Sequence, residues 1–198
     1  GKQKITEQFN SDELAKSLDY ACTFGAHNLR IFSFMIPEGE DHLKYRTQVM
    51  DRLGEMSRVA LNYPITLCHE NEHGAFGATL DGSTAIYEAH PNIRAVFDTA
   101  NFVRSGYSPL ECAVNLHSNI GYLHIKDMSK ATGKYVQIGE GDAQIREVLG
   151  ELKTIPAELF LSLEPSLGGY VGGKRELTGP ARFKQSIGAL RKILLEFN

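Results

Sequence analysis

Cysteine is scarce in this sequence: Cys22, Cys68 and Cys112 stand at wide, irregular spacings, with no CxxC pair and no compact Cys/His cluster. An odd number placed this way argues against a disulfide framework and fits reduced, mostly buried thiols in a cytosolic protein. No segment approaches the roughly 18 uninterrupted apolar residues of a membrane helix, and the opening GKQKITEQFNSDEL lacks the apolar run of a signal peptide. An excess of one charge is also missing. The formal net charge is -3, and Lys and Arg are scattered rather than gathered into a stripe, so nothing favours polyanions and nucleic acid is not the expected partner. No low-complexity segment or linker divides the chain. What is present, 42% hydrophobic and 23% charged residues over 198 positions, predicts a soluble, cytoplasmic protein with a single domain over residues 1–198.

The chain alternates short apolar runs with helical patterns. SDELAKSLDYACTFG reads as a helix with Ser11 as N-cap and a stop at Gly25. NLRIFSF is a strand. DHLKYRTQVMDRLGEMSRVALNY is one long helix, with Leu43, Val49, Met50, Leu53 and Met56 near helical spacing and Pro64 beyond its end. Then come the strand ITLCHENE, a helix within DGSTAIYEAH, the strand IRAVFDTA, and a helix announced by Ser108 as N-cap with Pro109 at its first position. The strand GYLHIKD, the loop MSKATGKYVQIGEGD, the helix AQIREVLGELK, the strand ELFLSLEPS, the loop GGYVGGKRELTG and the helix ARFKQSIGALRKILLEF complete the series. Five strands alternating with about six helices predict a parallel sheet and the α/β class. A doubly wound dinucleotide fold would carry GxGxxG between its first strand and helix, and no strand here is followed by it.

A closed barrel explains a further feature. Glu70 closes ITLCHE, Asp98 closes IRAVFD, His124 lies in GYLHIKD and Glu164 closes ELFLSLE, at steps of 28, 26 and 40 residues. Each consecutive strand therefore delivers one ligand-type side chain toward the same end. Strand parity predicts an inward aim, because Thr66, Cys68 and Glu70 share one face, as do Arg94, Val96 and Asp98, and Phe160, Ser162 and Glu164. Adjacent parallel strands lie about 4.8 Å apart, and closure bends their ends toward one axis. Three carboxylates in a semi-buried mouth repel one another severely unless a divalent cation turns the repulsion into coordination. Three oxygens and one imidazole suit Mn²⁺, Co²⁺, Mg²⁺ or Zn²⁺.

In GAHNLRIFSF, LCHENEHG, FDTANF, GYLHIKD, IGEGD and LSLEPS the chain resembles the xylose-isomerase-like superfamily of TIM barrels. The resemblance implies a (β/α)8 barrel of which the last five βα units are present. It also implies that Glu70, Asp98, His124 and Glu164 match the metal-binding Glu, Asp, His and Glu of the sugar-acting members. Glu70 and Glu164 would then be the acid/base pair on opposite faces of the substrate carbon, with the metal stabilising an enediolate of a small keto-sugar or related polyol. His73 in ENEHG is a candidate substrate contact, and Lys126 shares the parity of His124 and is a candidate to neutralise an anionic oxygen. Asp127 is a candidate to orient a neighbour or bind a substrate hydroxyl, and Lys174 and Arg175 to hold a phosphate or carboxylate. Asn101 stands where many members carry a His and joins the substrate-binding set. The rival reading within the fold is an endonuclease IV-like enzyme, which needs a His-rich trinuclear zinc site. Asn101, the lack of Asp-x-His in GKYVQIG and the absence of a His at the end of the first strand speak against it. A rival of another class is a catalytically silent partial barrel that binds a metal, a sugar or its own partner. A barrel of this type has eight strands and about 250 residues, so three N-terminal strands are expected to be missing. An open sheet of apolar strands exposes two edges, which predicts a homo-oligomer.

Overall fold

The computed structural model describes residues 2–155, 158–165, 170, 171, 174, 175 and 179–197. Five strands, β1 (Asn28–Ile31), β2 (Thr66–Glu70), β3 (Arg94–Asp98), β4 (Ile120–Ile125) and β7 (Phe160–Leu163), form a parallel sheet in the order β1-β2-β3-β4-β7. The order follows the sequence because each strand is returned to the same end by a helical connection. The fold class is α/β, the arrangement of an incomplete TIM barrel. By internal contacts the chain divides into two compact units, residues 1–96 with 119–121 and residues 97–118 with 122–198. The division crosses β3 and β4.

In the first unit, α1 (Ser11–Thr23) is capped by Asn10, whose side-chain oxygen accepts from the Asp12 N–H at 2.8 Å. The cap thus falls one residue before the expected Ser11. At its other end the Gly25 N–H donates to Cys22 O and the Ala26 N–H to Ala21 O, a double closure that requires the left-handed conformation Gly25 adopts at φ 68°. The long helix expected from Asp41 is two pieces. A 3₁₀ turn at His42–Tyr45, capped by Asp41, precedes α2 (Arg46–Ala60). Leu43 is 68% exposed because it lies well off the stripe of Val49, Leu53, Met56 and Ala60 that α2 buries. β2 pairs with β1 from Asn28↔Thr66 to Ile31↔His69 and with β3 from Cys68↔Arg94 to Glu70↔Val96.

The alternation along β2 sends His69 to the face opposite Glu70, where its Nδ1 lies 3.1 Å from the Tyr87 hydroxyl on α3 (Leu80–Ala89). His69 is fully buried, and a Cβ at Gly77 would run into its ring, so only glycine fits there. Burial pulls the His69 pKa down to about 4, against the raising influence of Glu70. The folded-state pKa lies below the unfolded value, so the unfolded chain binds more protons between about pH 6.5 and pH 4, and stability falls as pH drops through that window. We expect a loss on the order of 3 kcal/mol across it. Urea unfolding of His69→Gln at pH 7 and pH 4.5 should show a flatter dependence than the parent chain; an equally steep one would assign the acid lability elsewhere.

In the second unit, α4 (Thr99–Arg104) begins directly after β3 with Asp98 as its N-cap, where the sequence predicts the strand to run on to Ala100. α5 (Pro109–Leu116) begins as expected, with the Glu111 N–H donating to Ser108 Oγ. The expected loop after β4 contains an antiparallel hairpin of β5 (Asp127–Ser129) and β6 (Lys134–Val136). Gly133, at φ 66°, serves its turn. α6 (Ile145–Leu152) follows. β7 pairs with β4 from Tyr122↔Phe160 to Ile125↔Leu163, and the Glu164 N–H extends the ladder to Ile125 O at 3.1 Å. A two-residue pair, β8 (Tyr170–Val171) and β9 (Lys174–Arg175), precedes α7 (Gly179–Leu195). Among the described residues, no helix is long and apolar enough to cross a membrane.

Candidate metal centre

Asp98 closes β3, Lys126 and His124 come from β4 and the residue after it, and Glu164 follows β7 directly. The three strand ends place these side chains together because residues two apart on a strand share a face and β4 lies between β3 and β7. One ligand-type atom each of Asp98, His124 and Glu164 lies within 4.8 Å of the others. Asp98 is wholly buried. Its Oδ1 accepts from the Asn101 N–H at 2.8 Å, which makes it the N-cap of α4, and its Oδ2 lies 3.3 Å from Lys126 Nζ. The cap fixes the carboxylate's rotamer while leaving the second oxygen turned toward its neighbours. His124 Nδ1 lies 3.6 Å from Glu164 Oε1, and its ring meets Tyr122 edge-on. Glu164 is the open member of the group, with about a third of its side chain exposed.

Lys126 contributes the positive charge. Its Nζ lies 3.3 Å from Asp98 Oδ2, 3.6 Å from Glu164 Oε2 and 5.3 Å from the centre of the Tyr135 ring. Burial draws its pKa down, but Asp98, Tyr135 and Glu164 together outweigh burial and hold it above the ordinary lysine value. Tyr135 reaches the site from β6, and its hydroxyl also accepts from Arg104 Nη1 at 3.4 Å. Neither Tyr135 nor Arg104 was anticipated, since the hairpin that carries Tyr135 has no strand signature in MSKATGKYVQIG.

Glu70 belongs to the first unit, where it ends β2, is almost wholly buried and pairs through Oε2 with Arg30 Nη1 of β1 at 2.9 Å. Arg30 was missed as well, although an Arg inside the apolar run NLRIF was a visible signal. His73 is exposed in the turn after β2. Asn101 is buried on α4 and touches Asp98 through its backbone. Asp127 is buried, and its carboxylate is held by backbone N–H groups. Its Oδ1 accepts from the N–H groups of Met128 and Ala143, and its Oδ2 from those of Gly139 and Gly141. Burial pushes this carboxyl above its ordinary pKa, and the four N–H groups work against that push. The backbone of Lys174 and Arg175 forms β9, while their side chains lie outside the described residues.

A buried aspartate, a histidine and a glutamate at the C-terminal ends of parallel strands form a donor set that fits a divalent ion such as Mn²⁺, Co²⁺, Mg²⁺ or Zn²⁺. That combination marks an α/β chain whose strand ends could hold a metal. The model of the xylose isomerase-like TIM barrel matches residues 1–193, and the chain belongs to that family. Compared with curated proteins by sequence, it has no match. Among solved structures it is similar to a D-tagatose 3-epimerase-like protein, with 21% identity and a TM-score of 0.71 over 91% of this chain. It is also similar to the probable 3-DHS dehydratase AsbF of Bacillus anthracis, involved in petrobactin synthesis, with 16% identity and a TM-score of 0.77 over 96% of this chain. A third similar structure is the IolI protein with a binding zinc atom, with 17% identity and a TM-score of 0.77 over 94% of this chain. The chain spans 66%, 72% and 69% of these three proteins respectively. At identities this low, the likeness shows the shared fold alone.

Proposed function

We propose that this chain carries the metal-dependent active site of an isomerase or epimerase acting on a small keto-sugar or related polyol, with Glu70, Asp98, His124 and Glu164 holding one divalent ion. The observation that carries the reading is the convergence of Asp98, His124 and Glu164 at strand ends, with Glu70 closing the strand next to β3 in the sheet. A bound ion supplies Lewis-acid polarisation of the carbonyl and adjacent hydroxyl oxygens of the substrate. Glu70 and Glu164 are the proton carriers. One removes the C–H proton next to the carbonyl, and the other delivers a proton to the opposite face. Their environments differ in the way such a pair requires: Glu70 is buried against Arg30, while Glu164 is partly open to water and able to exchange its proton. Asp98 and His124, which transfer no proton in this scheme, help hold the ion. Lys126, His73 and Asn101 are the proposed substrate contacts, together with Lys174 and Arg175.

Turnover of a panel of ketoses by chelator-treated chain, with and without added Mn²⁺, tests this reading. Epimerisation at C3, or isomerisation of the ketose to an aldose, that requires Mn²⁺ is the expected result. Mn²⁺ binding with no turnover of any ketose would instead favour a catalytically silent metal-binding barrel. The single His in the described cluster disfavours the endonuclease IV-like alternative, whose trinuclear site needs several.

A further inference from the structure

Lys126 brings a positive charge to the place where the ligand set needs one. Its Nζ contacts both Asp98 Oδ2 and Glu164 Oε2, the same carboxylates that the proposed centre assigns to the ion, and its side chain is 8% exposed. One ammonium thus bridges two carboxylate side chains, one of them wholly buried. The Tyr135 ring on the hairpin gives the ammonium a second favourable neighbour that contributes no ligand atom to the cluster.

We infer that Lys126 is an internal counter-ion of the centre, which holds the Asp98 and Glu164 side chains in place and yields them to the divalent ion when it binds. The inference rests on the metal reading and adds how metal uptake is regulated: binding is an exchange of one cation for another. A fixed ammonium beside a divalent ion repels it, so the lysine that stabilises the metal-free chain weakens metal binding. Removing it therefore moves two observables in opposite directions. A lysine that only braced the fold would lower both, and one that only touched substrate would move neither.

The test uses the full chain stripped with EDTA, with Mn²⁺ titrated in by calorimetry and melting followed in EDTA and in Mn²⁺. Lys126→Met should melt below the parent chain in EDTA, bind Mn²⁺ about tenfold more tightly or better, and gain more melting temperature from Mn²⁺. Lys126→Arg, which keeps the charge, should bind Mn²⁺ within about threefold of the parent. If the methionine variant does not fold without metal, Lys126→Gln, which retains a donor but no charge, carries the same comparison. Unchanged or weaker Mn²⁺ binding by the uncharged variant overturns the role given to Lys126. Asp98→Asn separates that failure from a failure of the centre itself, because equal Mn²⁺ uptake by parent and Asp98→Asn sinks the metal reading and this inference with it.

Discussion

Replacement of Glu164 by glutamine should slow solvent-deuterium incorporation at the reacting carbon of the sugar by about 10²- to 10⁴-fold, the range that a positioned acid/base group contributes. An amide oxygen still coordinates a cation, so Mn²⁺ binding is expected to weaken rather than vanish, and metal loss and base loss become separable. On the proposed mechanism, the partly exposed Glu164 would be the member of the pair through which solvent protons enter. Glu70, almost wholly buried beside Arg30, would exchange more slowly. Proton NMR of the sugar in D₂O at saturating Mn²⁺ reads the rate directly. Undiminished exchange in Glu164→Gln would remove Glu164 from proton transfer and leave it a ligand alone.

The positions of the candidate ligands were legible because four of the five strands, β2, β3, β4 and β7, carry an acid or imidazole at or beside their C-terminal ends, and the period-two alternation fixes which face it takes. Asp98 shows both the strength and the limit of that reading. Its place at the end of IRAVFD was visible, but its second task was not, since the same residue ends β3 and caps α4, and a six-residue helix starting on a strand end leaves no separate signal. The β5–β6 hairpin was hidden for another reason. Its strands are three residues long and sit in a polar stretch rich in Lys, Thr and Gly, where alternation has no length over which to show. Tyr135 was lost with it, because a ring stacked over Lys126 is a contact of register and not of sequence spacing. Asn10 displaced Ser11 as cap by one residue, within the ordinary uncertainty of a helix start where two good capping residues adjoin.

Asp127→Asn should be nearly as destabilising as Asp127→Ala, with each costing about 3 to 5 kcal/mol, the cost of removing one partner from a buried charged network. The reason is the count of donors. Oδ1 takes the Met128 and Ala143 N–H groups at 2.8 and 3.1 Å, and Oδ2 takes those of Gly139 and Gly141 at 2.8 and 3.0 Å. A carboxylate accepts all four bonds, whereas an asparagine amide turns two hydrogens of its own toward one pair of donors. The wrapping is close enough that a Cβ on Gly141 would run into Asp127 Oδ1 and Met128 O, so the loop has no room to shift and find new partners. Gly139 holds its place at φ 85°, which only glycine adopts without strain. Because Asp127 also starts β5, its loss should loosen the hairpin that sets Tyr135 over Lys126, and the Mn²⁺ affinity should change with the stability. Urea unfolding of both variants, with Mn²⁺ titrations on the folded fraction, measures this. An asparagine variant within about 1 kcal/mol of the parent would show that the loop is held by its other contacts and that the four-donor carboxylate is dispensable.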